Sequence, residues 1–202
     1  MSIHSIIWDV GGVIVRTEDQ TPRDQLAARY GLSRREINDL VFGSEGNYQA
    51  QLGEISHAEH WAAIREQLGL SEEEGQDFED AFFAGDVVDH ELVDFIHGLK
   101  ADYCTAILSN ALPNLRDMMT DVWQIDDAFH HMVMSAEVGL MKPDPAIYQL
   151  AVEQTGFAPE ESVFIDDTPR NIEAAEAAGL YGIVFQDPAQ AKAELEKLLD
   201  HK

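Results

Sequence analysis

Four short polar segments in this sequence contain residues that could do chemistry: Asp9-Val-Gly-Gly12, Ser109-Asn110, Lys142-Pro-Asp-Pro145 and Asp166-Asp167-Thr168. The first stands out because Asp9 interrupts the apolar run Ile-Ile-Trp-Asp-Val-Gly-Gly-Val-Ile-Val. A carboxylate in apolar surroundings is costly unless it is paired or metal-bound, so Asp9 is either a satisfied structural acid or a working one. Asp166 and Asp167 repel each other; in a structural setting one would cap a helix while the other faces water. A hard divalent cation offers another resolution, since it takes oxygen ligands and relieves the repulsion. If Asp9 comes from the neighbouring strand end, the three carboxylates form an octahedral Mg²⁺ site with room for waters and a substrate oxygen. Ser109 and Asn110 could merely start a turn, but their hydroxyl and amide N–H₂ are also neutral donors to anionic oxygens. Lys142 could be a solvated surface lysine. Placed before a helix start, it could also join free backbone N–H groups in holding an anion.

The elements that must position these residues alternate between strand and helix. Ile3 to Trp8, Tyr103 to Leu108, Ser162 to Ile165 and Gly182 to Phe185 read as strands, with a weaker one at His131 to Met134. Helical patterns occupy Asp89 to Lys100, Pro113 to Thr120, Pro145 to Thr155, Pro169 to Ala178 and Pro188 to Leu199. This order predicts an α/β protein with a Rossmann-like, doubly wound parallel sheet covered by helices on both faces. From about Thr17 to Gly85 there is no convincing strand. Three capping boxes, Ser33-Arg-Arg-Glu36, Ser56-His-Ala-Glu59 and Ser71-Glu-Glu-Glu74, each precede a helical pattern there. The expected organisation is an α/β core over residues 1–15 and 86–202 and an α-helical cap over 16–85. An insertion after the first strand lies at the carboxyl edge of the sheet, where open α/β sheets bind ligands. Trp61, Phe42, Phe82 and Phe83 are expected in the cap core rather than at a subunit contact.

Composition narrows the partners. The 202 residues carry 38 acids against 13 bases, a formal charge of −25 that excludes nucleic acid, whose phosphates need a basic face. No apolar run approaches the ~18–20 residues of a membrane span. The start Met-Ser-Ile-His-Ser lacks the basic region of a signal peptide, so a cytoplasmic protein is expected. The single cysteine, Cys104, lies in an apolar run and is expected to pack as a small hydrophobe.

Taken in order, the four segments resemble the motifs of the haloacid dehalogenase superfamily, and the resemblance covers essentially the whole chain. It implies aspartyl-phosphate chemistry on a small phosphorylated metabolite. Asp9 would be the nucleophile, Ser109 would bind the transferring phosphoryl group, and Lys142 would neutralise charge on both. Asn110 would contact substrate. Asp167 would ligate Mg²⁺ directly, Asp166 would do so through water, and the Gly11 carbonyl would be the backbone ligand. Phosphatases of the superfamily usually carry a second aspartate two residues after the nucleophile, as general acid and base; here that residue is Gly11. His57, His60 and Glu54 of the cap are candidate replacements, each also readable as a surface or helix-capping group. A subgroup resembling bacterial α-glucose-1-phosphate phosphatases also has glycine there and acts on sugar phosphates. Two other functions compete with a phosphatase. A 2-haloacid dehalogenase also lacks the second aspartate, but paired acids would repel its carboxylate substrate. A degenerate module that only binds a phosphorylated ligand or a protein is the other.

Overall fold

The computed structural model describes residues 2–199; residues 1 and 200–202, assigned above to the core, lie outside the described residues. Five parallel strands, β1 (Ser5–Trp8), β4 (Cys104–Ser109), β5 (His131–Met134), β6 (Ser162–Asp166) and β7 (Tyr181–Val184), form one sheet in the order β5-β4-β1-β6-β7. Alternation along β1 sends Ile6 and Trp8 to one face and Ile7 to the other, and β6 likewise divides Val163 and Ile165 from Phe164. The first face packs on α6 (His90–Leu99) and α11 (Pro188–Leu199), the second on α9 (Pro145–Thr155) and α10 (Pro169–Ala177). Both faces are therefore buried, which is why the strands read as continuous apolar runs.

Five helices lie between β1 and β4: α1 (Thr21–Arg29), α2 (Arg34–Phe42), α3 (Glu45–Gln51), α4 (His57–Leu68) and α5 (Glu72–Phe83). All three capping boxes form, at Ser33, Ser56 and Ser71. The helices share a separate apolar cluster that includes Leu26, Ile37, Trp61, Phe78 and Phe82. Trp61 and Phe82 are buried as expected and Phe83 is partly so, but Phe42 is 44% exposed.

This interval also holds strand structure that its sequence does not advertise. β2 (Val15–Thr17) pairs antiparallel with β3 (Asp86–Val88), bringing the two ends of the helical insertion side by side. Each has three residues, too short for a periodic signal, and they are joined only by pairing across some 70 residues of sequence. The helix expected over Pro113 to Thr120 is also different: a short α7 (Leu115–Asp117) passes into a π-helical turn over Met118–Val122. Cys104 is half-buried and its thiol is pushed up by that burial, in keeping with a packing role. No helix among the described residues is long and apolar enough to cross a membrane.

Candidate active site

Strand register assembles the site. Trp8 pairs with Ile107 on one side and Ile165 on the other, so Asp9, Ser109 and Asp166 emerge together at the carboxyl ends of three adjacent strands. The chain leaves β1 for neighbours on both sides, the switch point where such sheets open a crevice. Gly12 turns the chain away with φ +79°, and a Cβ there would lie 2.2 Å from Asp167 Oδ2. Only glycine permits both this backbone and that approach. Gly11 is different: its φ is not positive, and a Cβ would meet nothing within 4 Å.

Lys142 occupies the centre of the floor, 2% exposed, with Nζ 2.9 Å from Asp9 Oδ2 and 2.6 Å from Asp166 Oδ2. Its ammonium also stands 5.2 Å from the centroid of the Phe164 ring. Asp166 is fully buried and both of its carboxylate oxygens are hydrogen-bonded. Oδ1 accepts from the Thr168 N–H at 2.7 Å and from Asn171 Nδ2 at 3.1 Å, and Oδ2 accepts from Lys142 and from Asn171 Nδ2 at 3.0 Å. Tyr148 in turn donates to the Asn171 carbonyl at 2.9 Å, which anchors the first turn of α10 beneath the site. Asn171 and Tyr148 were not singled out from sequence. The signal available was the Pro169 helix start, which turns position 171 back toward the end of β6.

Asp9, Asp166 and Asp167 each present an oxygen within 4.8 Å of the others. Burial pushes the Asp9 carboxyl up to about 6; Lys142 pulls it down and Asp166 adds to the rise, while the Ser109 hydroxyl works to lower it. Asp167 is also raised, by burial and then by Asp166. One ammonium therefore faces three carboxylates, and two of them remain under-compensated. This donor set fits a divalent cation. Asp167, exposed and bonded only weakly by the Thr168 hydroxyl at 3.3 Å, is free to ligate, whereas Asp166 is held in place by its four contacts.

Ser109 and Asn110 both line the adjoining cavity, as do Gly11 and Gly12, whereas Asp9, Lys142, Asp166 and Asp167 do not. Asn110 uses its carboxamide largely on Lys142: Nδ2 donates to the Lys142 carbonyl at 2.9 Å and Oδ1 accepts its N–H at 2.7 Å. It thus positions the lysine backbone and keeps one N–H for a ligand. The cavity has a volume of about 990 Å³ and lies between the sheet edge and the helical insertion. Of the cap residues suspected from sequence, none of His57, His60 and Glu54 lines it. His60 is fully buried, while His57 Nε2 accepts from Trp61 Nε1 at 2.9 Å. The wall is instead built from Asn47 and Gln51 of α3 and Gln76, Glu79, Asp80 and Phe83 of α5. Their i, i+3, i+4, i+7 spacing was visible in the sequence, but not which helix face it would mark.

A family model described as haloacid dehalogenase-like hydrolase matches residues 3–179. The chain belongs to this hydrolase family. Among family relatives, D-ribitol-5-phosphate phosphatase of Bacteroides thetaiotaomicron is 26% identical over 98% of this chain and 99% of its own. Bifunctional epoxide hydrolase 2 of Rattus norvegicus is 31% identical over 49% of this chain, a match spanning 19% of that longer protein. Among solved structures, a HAD family enzyme of Bacteroides thetaiotaomicron, in complex with magnesium and inorganic phosphate, has the same fold. It aligns with TM-score 0.77 at 22% identity, over 92% of this chain and 95% of its own.

Proposed function

We propose that this hydrolase is a Mg²⁺-dependent phosphatase of a small, sugar phosphate-like metabolite, acting through an aspartyl-phosphate intermediate. The observation that carries the reading is Lys142 bridging Asp9 and Asp166 beside the third carboxylate, Asp167, next to a cavity of about 990 Å³ lined by the adjoining Gly11, Gly12 and Ser109. The full-length similarity to a sugar-alcohol phosphatase supports it. So does the magnesium and phosphate complex of the structural relative.

Asp9, Asp167 and the Gly11 carbonyl would hold the cation, with Asp166 reaching it through water. Bound there, Mg²⁺ would offset the repulsion among the carboxylates and draw negative charge from the phosphoryl oxygens. The protein's own groups do the rest. Asp9 attacks phosphorus in line; the ester P–O bond breaks and its electron pair leaves with the alcohol oxygen, which takes a proton from water. Ser109 and the free Asn110 N–H donate to the phosphoryl oxygens, and Lys142 keeps the nucleophile ionised and its approach fixed. Water then attacks the acyl phosphate, releasing inorganic phosphate and restoring Asp9. Gly11 offers no proton to the leaving oxygen, so esters with good leaving groups are favoured.

Hydrolysis of p-nitrophenyl phosphate tests this directly, because its leaving group needs little protonation. Activity should depend on Mg²⁺ and disappear in Asp9→Asn. Activity indifferent to chelator would overturn the metal role, and metal-free halide release from 2-chloropropionate would replace the reading with a dehalogenase. Silence on every phosphate ester with ligand binding intact would leave a binding module.

A further inference from the structure

We propose that the cap wall of the cavity sorts phosphomonoesters by the charge of the leaving group, accepting an uncharged, hydroxyl-bearing one and rejecting one with a second anion. The proposal rests on the phosphatase reading for the phosphoryl end of the ligand and concerns its other end. Glu79 and Asp80 face the cavity from α5, and the two cations that line the same space are both committed elsewhere. Arg16 directs Nε to Glu18 at 3.3 Å, Nη1 to the Val13 carbonyl at 2.7 Å and Nη2 to Asp89 at 2.8 Å. Arg23 is 7% exposed, with Nη2 on both Asp86 oxygens at 2.9 and 3.0 Å and Nε on the Phe82 carbonyl at 3.0 Å. Its guanidinium also lies 4.3 Å from the centroid of the Phe82 ring. Drawing either arginine to a ligand would strip an acid of its partner, a loss that buried pairs resist.

His57 Nε2 is 2.9 Å from Glu79 Oε1 and also 2.9 Å from Trp61 Nε1. An indole N–H can only donate, so while it occupies Nε2 that nitrogen has no proton to give Glu79. Lys142 is on the floor between Asp9 and Asp166. A carboxylate or second phosphate on the leaving group would thus meet the like charges of Glu79 and Asp80, while both lining arginines already pair with acids of the protein. A hydroxyl in the same place finds partners. It can donate to Glu79 or Asp80 and exchange bonds with the carboxamides of Gln51 and Gln76, which both donate and accept.

The sharpest probes are glycerol 3-phosphate and 3-phosphoglycerate, which differ only in a hydroxymethyl against a carboxylate. Binding of each to the Asp9→Asn protein with Mg²⁺, measured by titration calorimetry, should favour glycerol 3-phosphate by about tenfold or more, and the gap should narrow as salt is added. In the added Glu79→Gln/Asp80→Asn background the gap should shrink at least about threefold, because these near-isosteric amides keep the hydrogen-bonding shape and remove the charge. Asp80→Asn alone, at an exposed position, should move the ratio in the same direction and serves where the double variant folds poorly. Equal binding of the two probes, binding of neither, or a ratio unchanged in correctly folded variants would overturn the proposal. Binding is read without turnover. A protein that discriminates the pair yet leaves p-nitrophenyl phosphate intact would overturn the phosphatase reading and leave the charge selection standing.

Discussion

Asp166 in the buried acid cluster and Asp80 on the cap wall of the cavity are both aspartates, separated by opposite physical circumstances. Asp166 is fully buried and has each oxygen doubly bonded to fixed donors. Asp80 is exposed and accepts from Gln76, one turn away on its own helix. A buried charge persists only where its partners are held rigidly, so the floor recruits strand ends, a helix start and a second layer through Asn171 and Tyr148. The wall needs only a helix surface, whose side chains can change without disturbing the core beneath. On the proposed reading, reaction and selectivity would be separable in this molecule: the chemistry would belong to the sheet and the choice of leaving group to one face of α5.

The largest effect is expected from removing the proposed nucleophile. Asp9→Asn should lower the hydrolysis rate of p-nitrophenyl phosphate by about 10⁴-fold or more in steady-state assays. Without metal it should also raise the melting temperature by about 2–4 °C, since one ammonium would then face two carboxylates instead of three. Breaking the floor electrostatically comes next. Lys142→Met leaves Asp9 and Asp166 buried without their cation and should cost about 3–5 kcal/mol in urea unfolding. The matched change on the wall, Asp80→Asn, should stay within about 0.5 kcal/mol. Equal costs for the two would erase the distinction.

Gly11→Asp probes whether the missing acid is a steric requirement. The structure has open space at its Cβ, so the side chain should be accommodated and should accelerate alkyl phosphate hydrolysis by up to about 10²-fold, with little change on the aryl ester. A smaller effect concerns the stem of the insertion. Asp89 caps α6 by accepting from the Leu92 N–H at 2.8 Å and pairs with Arg16. Burial raises its pKa, but the Arg16 and Leu92 bonds outweigh that and hold it below 3.8. Its stabilisation is therefore present above pH 3.8 and lost as the pH falls through the lower folded value. Asp89→Ala should cost about 1 kcal/mol at pH 7, and the difference from the parent should close in acid unfolding below that point.

Much of the floor was legible because its residues are marked locally. Asp9 stands out within an apolar run, and Asp166 and Asp167 adjoin one. Each capping box is written within four residues, and all three form. The wall was not legible in the same way. Choosing Gln76, Glu79 and Asp80 over His57 and His60 required knowing which way α4 and α5 face, a matter of packing between helices. Phe42 illustrates the same limit, since its type suggests core while the insertion leaves it on the cavity side, 44% exposed.

By itself, then, the sequence determined the alternating α/β order, the helical insertion and its caps, and the identities of the charged residues at the strand ends. These follow from periodicities and capping patterns that operate over a few residues. Only the tertiary structure decided that Asn110 would hold the Lys142 backbone, that β2 and β3 would pair, and that Arg16 and Arg23 would be committed to Asp89 and Asp86. Each joins residues more than thirty positions apart. Such pairings are chosen when buried polar groups compete for partners across the folded chain, and no local pattern records the outcome.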